Sequence, residues 1–190
     1  VALDMVQEAG VQLLLRTSLI DAVMSPSAVE GVIIHNKSGV QLLTAGVAVD
    51  CTGDGDLAAA AGAPFEMAPV QELQPVTLMF RVGGVDIGQL QRYMVEHPQE
   101  FDLAIDPADI PRQRYIRNSL TRFPPLRRAV EAGEFPSGVT HHQFFFFSSG
   151  ANLGRGHLAI NATRAPGVDA TDALQLSEAH VLLWKQVVAL

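Results

Sequence analysis

Residues 48–64 read AVDCTGDGDLAAAAGAP, an apolar run that stops at Thr52-Gly53-Asp54-Gly55-Asp56 before an Ala-rich stretch. Glycines and carboxylates at the end of a strand suit three kinds of chemistry. The first is calcium binding. Asp50, Thr52, Asp54 and Gly55 fall at positions one, three, five and six of an EF-hand loop, but the position of the closing bidentate acid is Ala61. The run before it is also strand-like, and the calcium reading is rejected. The second is phosphate binding. Gly53 and Gly55 let backbone N–H groups approach an anion, and a following helix N-terminus favours negative charge. The Gly-Lys-Ser/Thr ending of a nucleotide loop is absent, and the two aspartates would repel a bare phosphate. The third is the neighbourhood of a dinucleotide. An Asp at the C-terminal end of a parallel strand accepts hydrogen bonds from ribose or ribityl hydroxyls, while an adjacent Gly lets the backbone pass close to the ligand. Helix capping by Asp54 accounts for the same residues with no ligand at all.

Other reactive types are sparse. His141 and His142 are adjacent, so on a strand they point to opposite faces and do not chelate one ion. No metal site is expected there, although one of the pair is a candidate general base. Phe144 to Phe147 place aromatics on both faces of a strand, either as a buried sheet or as a wall over a substrate. The arginines at 112, 114, 117, 122, 127 and 128 read as a solvated helical face.

The elements that position these residues alternate in type. Residues 1–9 have helical rhythm and end at Gly10. Residues 11–15 and 19–24 read as strands. Residues 32–36 and 40–43 are strands joined by the Lys37-Ser38-Gly39 turn. Residues 47–51 form the strand leading into the Thr-Gly-Asp-Gly-Asp turn, and residues 56–61 a short helix stopped by Gly62. Further on, 76–82, 143–147 and 157–162 read as strands. Residues 87–97, 107–117, 126–132 and 171–190 read as helices, the last capped by Asp169 or Thr171. The mixture predicts an α/β fold, with α+β character in its second part.

The chain has 190 residues, 48% hydrophobic and 17% charged, enough apolar content for a core. A net charge of −7 argues against a nucleic-acid partner. The single cysteine, Cys51, excludes an intramolecular disulfide framework and fits a reducing compartment such as the cytoplasm. No apolar run is long enough to span a membrane and no signal-peptide pattern is present. Asn36-Lys37-Ser38 and Asn161-Ala162-Thr163 match the short glycosylation sequon. Both ends lie inside helical patterns, which is the expectation for a piece of a longer polypeptide.

The string GVAVDCTGDGDLAAAAGAPFE resembles the FAD-dependent oxidoreductases related to the glutathione-reductase fold, whose FAD domain has a strand ending in an Ala-Thr-Gly-Asp-Gly-Asp type turn. VQEAGVQLLLRTSLIDAVM is similar to that family's helix and two following strands. EGVIIHNKSGVQLLTAGVAVDCTGDGD resembles its β-meander, QPVTLMFRVGGVD the entry to its substrate domain, and INATRAPGVDATDALQLSEAH its Asn-x-Thr-Arg stretch and long helix. The likeness is weakest over 85–150. The family's Gly-x-Gly-x-x-Gly stretch and its C-terminal closing strand are not in this sequence. A central fragment is therefore expected, with weak hold on FAD by itself.

The resemblance implies a Rossmann-like FAD-binding part over 1–70, including a meander over 31–51, a substrate domain over 71–165, and a helix over 166–190 returning towards the FAD part. It implies FAD as cofactor and a small-molecule substrate that exchanges a hydride or electron pair with it. Cofactor contacts fall on Leu19, through its backbone, and on Thr52, Gly53, Asp54 and Gly55, with Asp56 capping the next helix. Asn161 and Arg164 are the candidate catalytic residues on the substrate side. Arg164 would hold a substrate carboxylate or stabilise reduced, anionic flavin, unless it forms a salt bridge with Asp169 or Asp172. Arg81 is a weaker candidate of the same kind. Cys51 stands where the family has a small residue and is expected to be a buried structural thiol. Two alternatives stay open: a non-enzymatic α/β ligand-binding or interaction module on the same scaffold, and a homo-oligomer built through the Arg-rich helices.

Overall fold

The computed structural model describes residues 2–100, 115–119, 124–136, 143–147 and 156–190. The chain divides into two compact units, Val1–Met67 and Ala68–Leu190.

In the first unit, helix α1 (Ala2–Glu8) stops where its sequence says it should. Gly10, at φ 70°, donates to the Gln7 carbonyl at 3.0 Å, and Val11 donates to the Val6 carbonyl at 3.2 Å. These two bonds satisfy carbonyls that the helix leaves open. Strands β1 (Ser18–Met24), β2 (Val29–Asn36) and β3 (Gly39–Thr44) then form an antiparallel meander in that order. Asn36 Oδ1 takes the Ser38 N–H at 2.9 Å in the β2–β3 turn, and Gly39 follows at φ 100°. Gly31 in β2 is there for space. A Cβ on it would lie 2.5 Å from the Leu43 carbonyl oxygen of the neighbouring strand. Helix α2 (Asp56–Ala60) is short and ends at Gly62, φ 74°.

Two expected strands are absent. Residues 11–15 and 47–51 join no ladder among the described residues. A strand is defined by its partner, and an apolar run without one stays irregular. Leu14, Leu15, Val47 and Val49 are accordingly exposed, while Ile34 and Leu57 are buried.

In the second unit the sheet order is β4-β7-β6-β5, with every pair antiparallel. Strand β4 (Phe80–Val82) is shorter than expected; earlier in that run Val76 makes only an isolated bridge to Ala165. Strand β5 (Tyr115–Ser119) overturns the helix expected over 107–117 for residues 115–117; residues 107–114 lie outside the described ones. Tyr115 and Ile116 suit a strand, and pairing with β6 (Gln143–Phe147) outweighs the short helical rhythm. Strand β7 (Leu158–Asn161) is central, its alternate residues Leu158 and Ile160 buried, as is Ala162 beyond it. They pack with Phe80, Val82, Leu90 and Leu126.

Helix α3 (Ile87–Glu96) starts at Asp86, whose carboxylate accepts the Gln89 N–H at 2.8 Å. Helix α4 (Pro124–Glu131) ends at Gly133, φ 72°; on it Arg127 pairs with Glu131 at 3.8 Å. Helix α5 (Ala173–Ala189) is capped by Asp172, whose Oδ1 accepts from Leu174 and Gln175 at 2.8 and 3.1 Å. Asp169 and Thr171, the expected caps, instead bond each other one turn earlier. The buried stripe of α5, Ala179 and Leu183, packs with Ala165, Val76 and Leu78. The fold class is thus mixed α/β with small antiparallel sheets. No described helix is long and apolar enough to cross a membrane.

Candidate functional site

Two cavities gather the residues singled out by the sequence, one in each unit. In the first unit, Leu19 and Thr52 line a cavity of about 530 Å³ together with Gly31, Val49, Asp50 and Cys51. Gly53, Asp54 and Gly55 are not in its lining; they continue the turn that Thr52 begins.

Asp50, passed over in the sequence except as a rejected calcium ligand, organises that turn. Its Oδ1 accepts the Thr52 N–H at 2.9 Å and the Thr52 hydroxyl at 2.7 Å, and its Oδ2 accepts the Ala58 N–H at 2.9 Å. Thr52 Oγ1 in turn accepts the Asp56 N–H at 2.8 Å. These bonds, led by the one from the Thr52 backbone, hold the Asp50 carboxyl below its ordinary value of 3.8. Helix α2 therefore takes its cap from Asp50 and Thr52. Neither Asp54 nor Asp56 caps it, because Gly55 occupies the N-cap at φ 72° and offers no side chain. The signal was an Asp-x-Thr pair at a chain reversal, where such side chains bond the backbone locally.

Asp54 is exposed, and neither its carboxylate nor the N–H groups of Gly53, Asp54 and Gly55 have a hydrogen-bond partner among the described residues. A Cβ at Gly53 or Gly55 would meet nothing within 4 Å. Cys51 is a free, exposed thiol, not the buried one expected, because residues 47–51 join no sheet that would cover it.

In the second unit, Asn161 and Arg164 line a cavity of about 450 Å³ with Gln74, Pro75, Thr77 and Thr163. The chain leaves β7 at Asn161, and Thr163, 4% exposed, locks the next step. Its hydroxyl accepts the Leu78 N–H at 2.7 Å and donates to the Leu78 carbonyl at 2.9 Å, replacing a ladder rung. Thr77 Oγ1 lies 2.8 Å from the Thr163 carbonyl oxygen and 2.9 Å from Asn161 Oδ1. Gln186 of α5, fully buried, binds the Arg164 backbone on both sides: its Oε1 accepts the N–H at 2.7 Å and its Nε2 donates to the carbonyl at 2.9 Å.

With its backbone fixed in this way, the Arg164 side chain is exposed and makes no ion pair among the described residues. The salt bridges considered for it do not form. Asp169 spends its carboxylate on the Thr171 hydroxyl and N–H, Asp172 on the N–H groups that open α5, and both carboxyls are held below their ordinary value by those bonds. Arg81 sits in β4 opposite Ala159, exposed and outside the cavity lining. His141 and His142 lie outside the described residues. No group of three or more potential metal ligands occurs among the described residues.

The family profile described as FAD dependent oxidoreductase matches residues 1–189. Searches of the curated proteins and of the solved structures returned no match.

Proposed function

The chain belongs to the family of FAD dependent oxidoreductases, and from that premise we propose that its first unit carries part of the FAD site and its second unit part of the substrate site. FAD is the family's cofactor; the chemistry it supplies when bound is two-electron exchange. The residues present fit such a group. The first cavity has an apolar wall at Leu19 and Val49 suited to a ring system, and the turn that leaves its lining at Thr52 carries the polar groups still open to a ligand. Asp54 offers an unengaged carboxylate for ribose hydroxyls, and Gly53 and Gly55 leave room for close approach. The phosphates belong elsewhere: the start of α2 is already occupied by the Asp50 carboxylate, which repels a second anion.

On the substrate side, Arg164 supplies the binding charge and Asn161 an oriented amide. The observation that carries this half is the guanidinium left without an ion pair on a backbone pinned by Gln186. Arg164 then orients a substrate carboxylate by paired charge-assisted hydrogen bonds. Bound FAD would supply the hydride or electron-pair chemistry and Arg164 and Asn161 would hold the substrate, so the reading is a flavin oxidoreductase acting on a small acid. Family membership favours it over a non-enzymatic binding module. The proposed layout keeps residues 1–70 as the FAD part, 71–165 as the substrate part and 166–190 as the returning helix; the division into Val1–Met67 and Ala68–Leu190 supports the first of these boundaries. A reducing, cytoplasmic setting is proposed on the single free cysteine.

The test is the visible absorption spectrum of the complete gene product as purified. A flavin band is expected. A colourless protein that also fails to take up added FAD overturns the reading.

A further inference from the structure

Three hydroxyl and amide groups around the second cavity compete for too few protons, and the resolution of that competition defines a ligand. Thr163 has already committed its hydroxyl proton to the Leu78 carbonyl. Thr77 has one hydroxyl proton and three oxygens within reach, the Thr163 carbonyl at 2.8 Å, Asn161 Oδ1 at 2.9 Å and, more distantly, the Thr163 hydroxyl at 3.4 Å. The Thr163 carbonyl belongs to a buried residue and has no other donor among the described residues. It can only accept, so it takes the proton. The Asn161 amide has an alternative: turned about its last torsion, it donates from Nδ2 to Thr77 Oγ1 and leaves Oδ1 as the end available to a ligand.

We propose that this cavity recognises a carboxylate whose adjacent carbon carries a hydrogen-bond donor, a 2-hydroxy or 2-amino acid. The proposal rests on the substrate reading of Asn161 and Arg164 and narrows it to a class. Arg164 offers a cationic fork with no ion-pair partner among the described residues, and Asn161, turned this way, offers a carbonyl oxygen from the same cavity lining. A plain carboxylate satisfies only the guanidinium and faces Asn161 Oδ1 with nothing to donate. A hydroxyl or ammonium group on the neighbouring carbon satisfies both. Loss of that one bond costs a ligand roughly tenfold in affinity.

The test is calorimetric titration of the complete, flavin-loaded gene product with two matched sets: lactate, alanine and propionate, then 3-phenyllactate, phenylalanine and 3-phenylpropionate. In at least one set, the hydroxy or amino acid is expected to bind about tenfold or more tightly than the unsubstituted acid. Which of the two wins identifies the donor, and either supports the proposal. Asn161→Leu should remove the preference while keeping the carboxylate's own affinity, and Arg164→Ala should abolish binding in both sets. The proposal is overturned if unsubstituted acids bind as well as their partners, or if none of the six binds. The wild-type ranking decides this even if a variant fails to fold. Because the heat of binding does not depend on turnover, a preparation without flavin absorbance would count against the FAD reading while the acid ranking still judged this one.

Discussion

Gln186 and Arg164, 22 residues apart, are joined as two strands would be: one side-chain amide meets both the N–H and the C=O of a single backbone residue. The amide lies on the buried stripe of α5 with Ala179 and Leu183, where an apolar residue would be the ordinary choice. A buried amide is retained there because the chain beyond β7 has no strand to satisfy Arg164. Gln186→Leu is expected to strand both groups and destabilise the second unit by about 2–3 kcal/mol. Urea unfolding measures it. Gln186→Glu keeps the acceptor but sets a buried carboxylate against the Arg164 carbonyl, so at neutral pH it should destabilise at least as much as the leucine.

Thr163 acts by the same logic one residue earlier. Its hydroxyl serves both the N–H and the carbonyl of Leu78. Thr163→Val preserves shape and removes both bonds, at an expected cost of about 1–3 kcal/mol. Thr163→Ser keeps the hydroxyl and should recover most of that difference in the same unfolding experiment.

Asp50 ties stability to pH. Its carboxyl is held below 3.8 in the folded chain, chiefly by the Thr52 N–H, so folding favours the ionised form. The stability it lends is fully present above the ordinary value of 3.8 and disappears as pH falls through the lower folded value. Asp50→Asn should therefore weaken the first unit at neutral pH and flatten its pH dependence in the acid range. Thermal melts between pH 2 and pH 7 would show whether wild type and variant converge at the acid end, as expected.

Gly31 tests the meander. An added Cβ would sit 2.5 Å from the Leu43 carbonyl oxygen, which is backbone and cannot swing aside. Gly31→Ala should push β2 and β3 apart and cost about 1–3 kcal/mol. A melting temperature equal to wild type would contradict the close β2–β3 approach.

Cys51 is a reporter for the first cavity. Exposed and in its lining, it should react with a thiol reagent without denaturant. If FAD lies where we propose, added FAD should slow that reaction, and FMN, which lacks the adenosine part, should not. Equal rates with and without FAD would place the adenosine elsewhere.

The sequence made helix ends legible, because a glycine at positive φ is a local requirement: Gly10, Gly62 and Gly133 stand where the expected helices stop. The meander was legible for a similar reason, its turn residues lying between two alternating runs. Residues 11–15 and 47–51 misled because an apolar run does not say whether a partner lies beside it. Residues 115–117 misled because a pairing with β6, distant in sequence, decided their state. Asn161 and Arg164 were found by resemblance, and the structure brings them to one cavity. The residues that hold this region in place, Thr77, Thr163 and Gln186, were missed. Their roles depend on bonds spanning 22 to 86 residues, which no local pattern announces.

The Asp50–Thr52 turn closes on itself, with every bond that shapes it coming from residues 50–58. A ligand arriving at Gly53, Asp54 and Gly55 thus meets a loop whose backbone entropy has already been lost in folding. Little of its binding energy goes to ordering the receptor, so the turn is preorganised, and its contribution to affinity should fade when Asp50 is neutralised even though Asp50 itself has no carboxylate oxygen left to give.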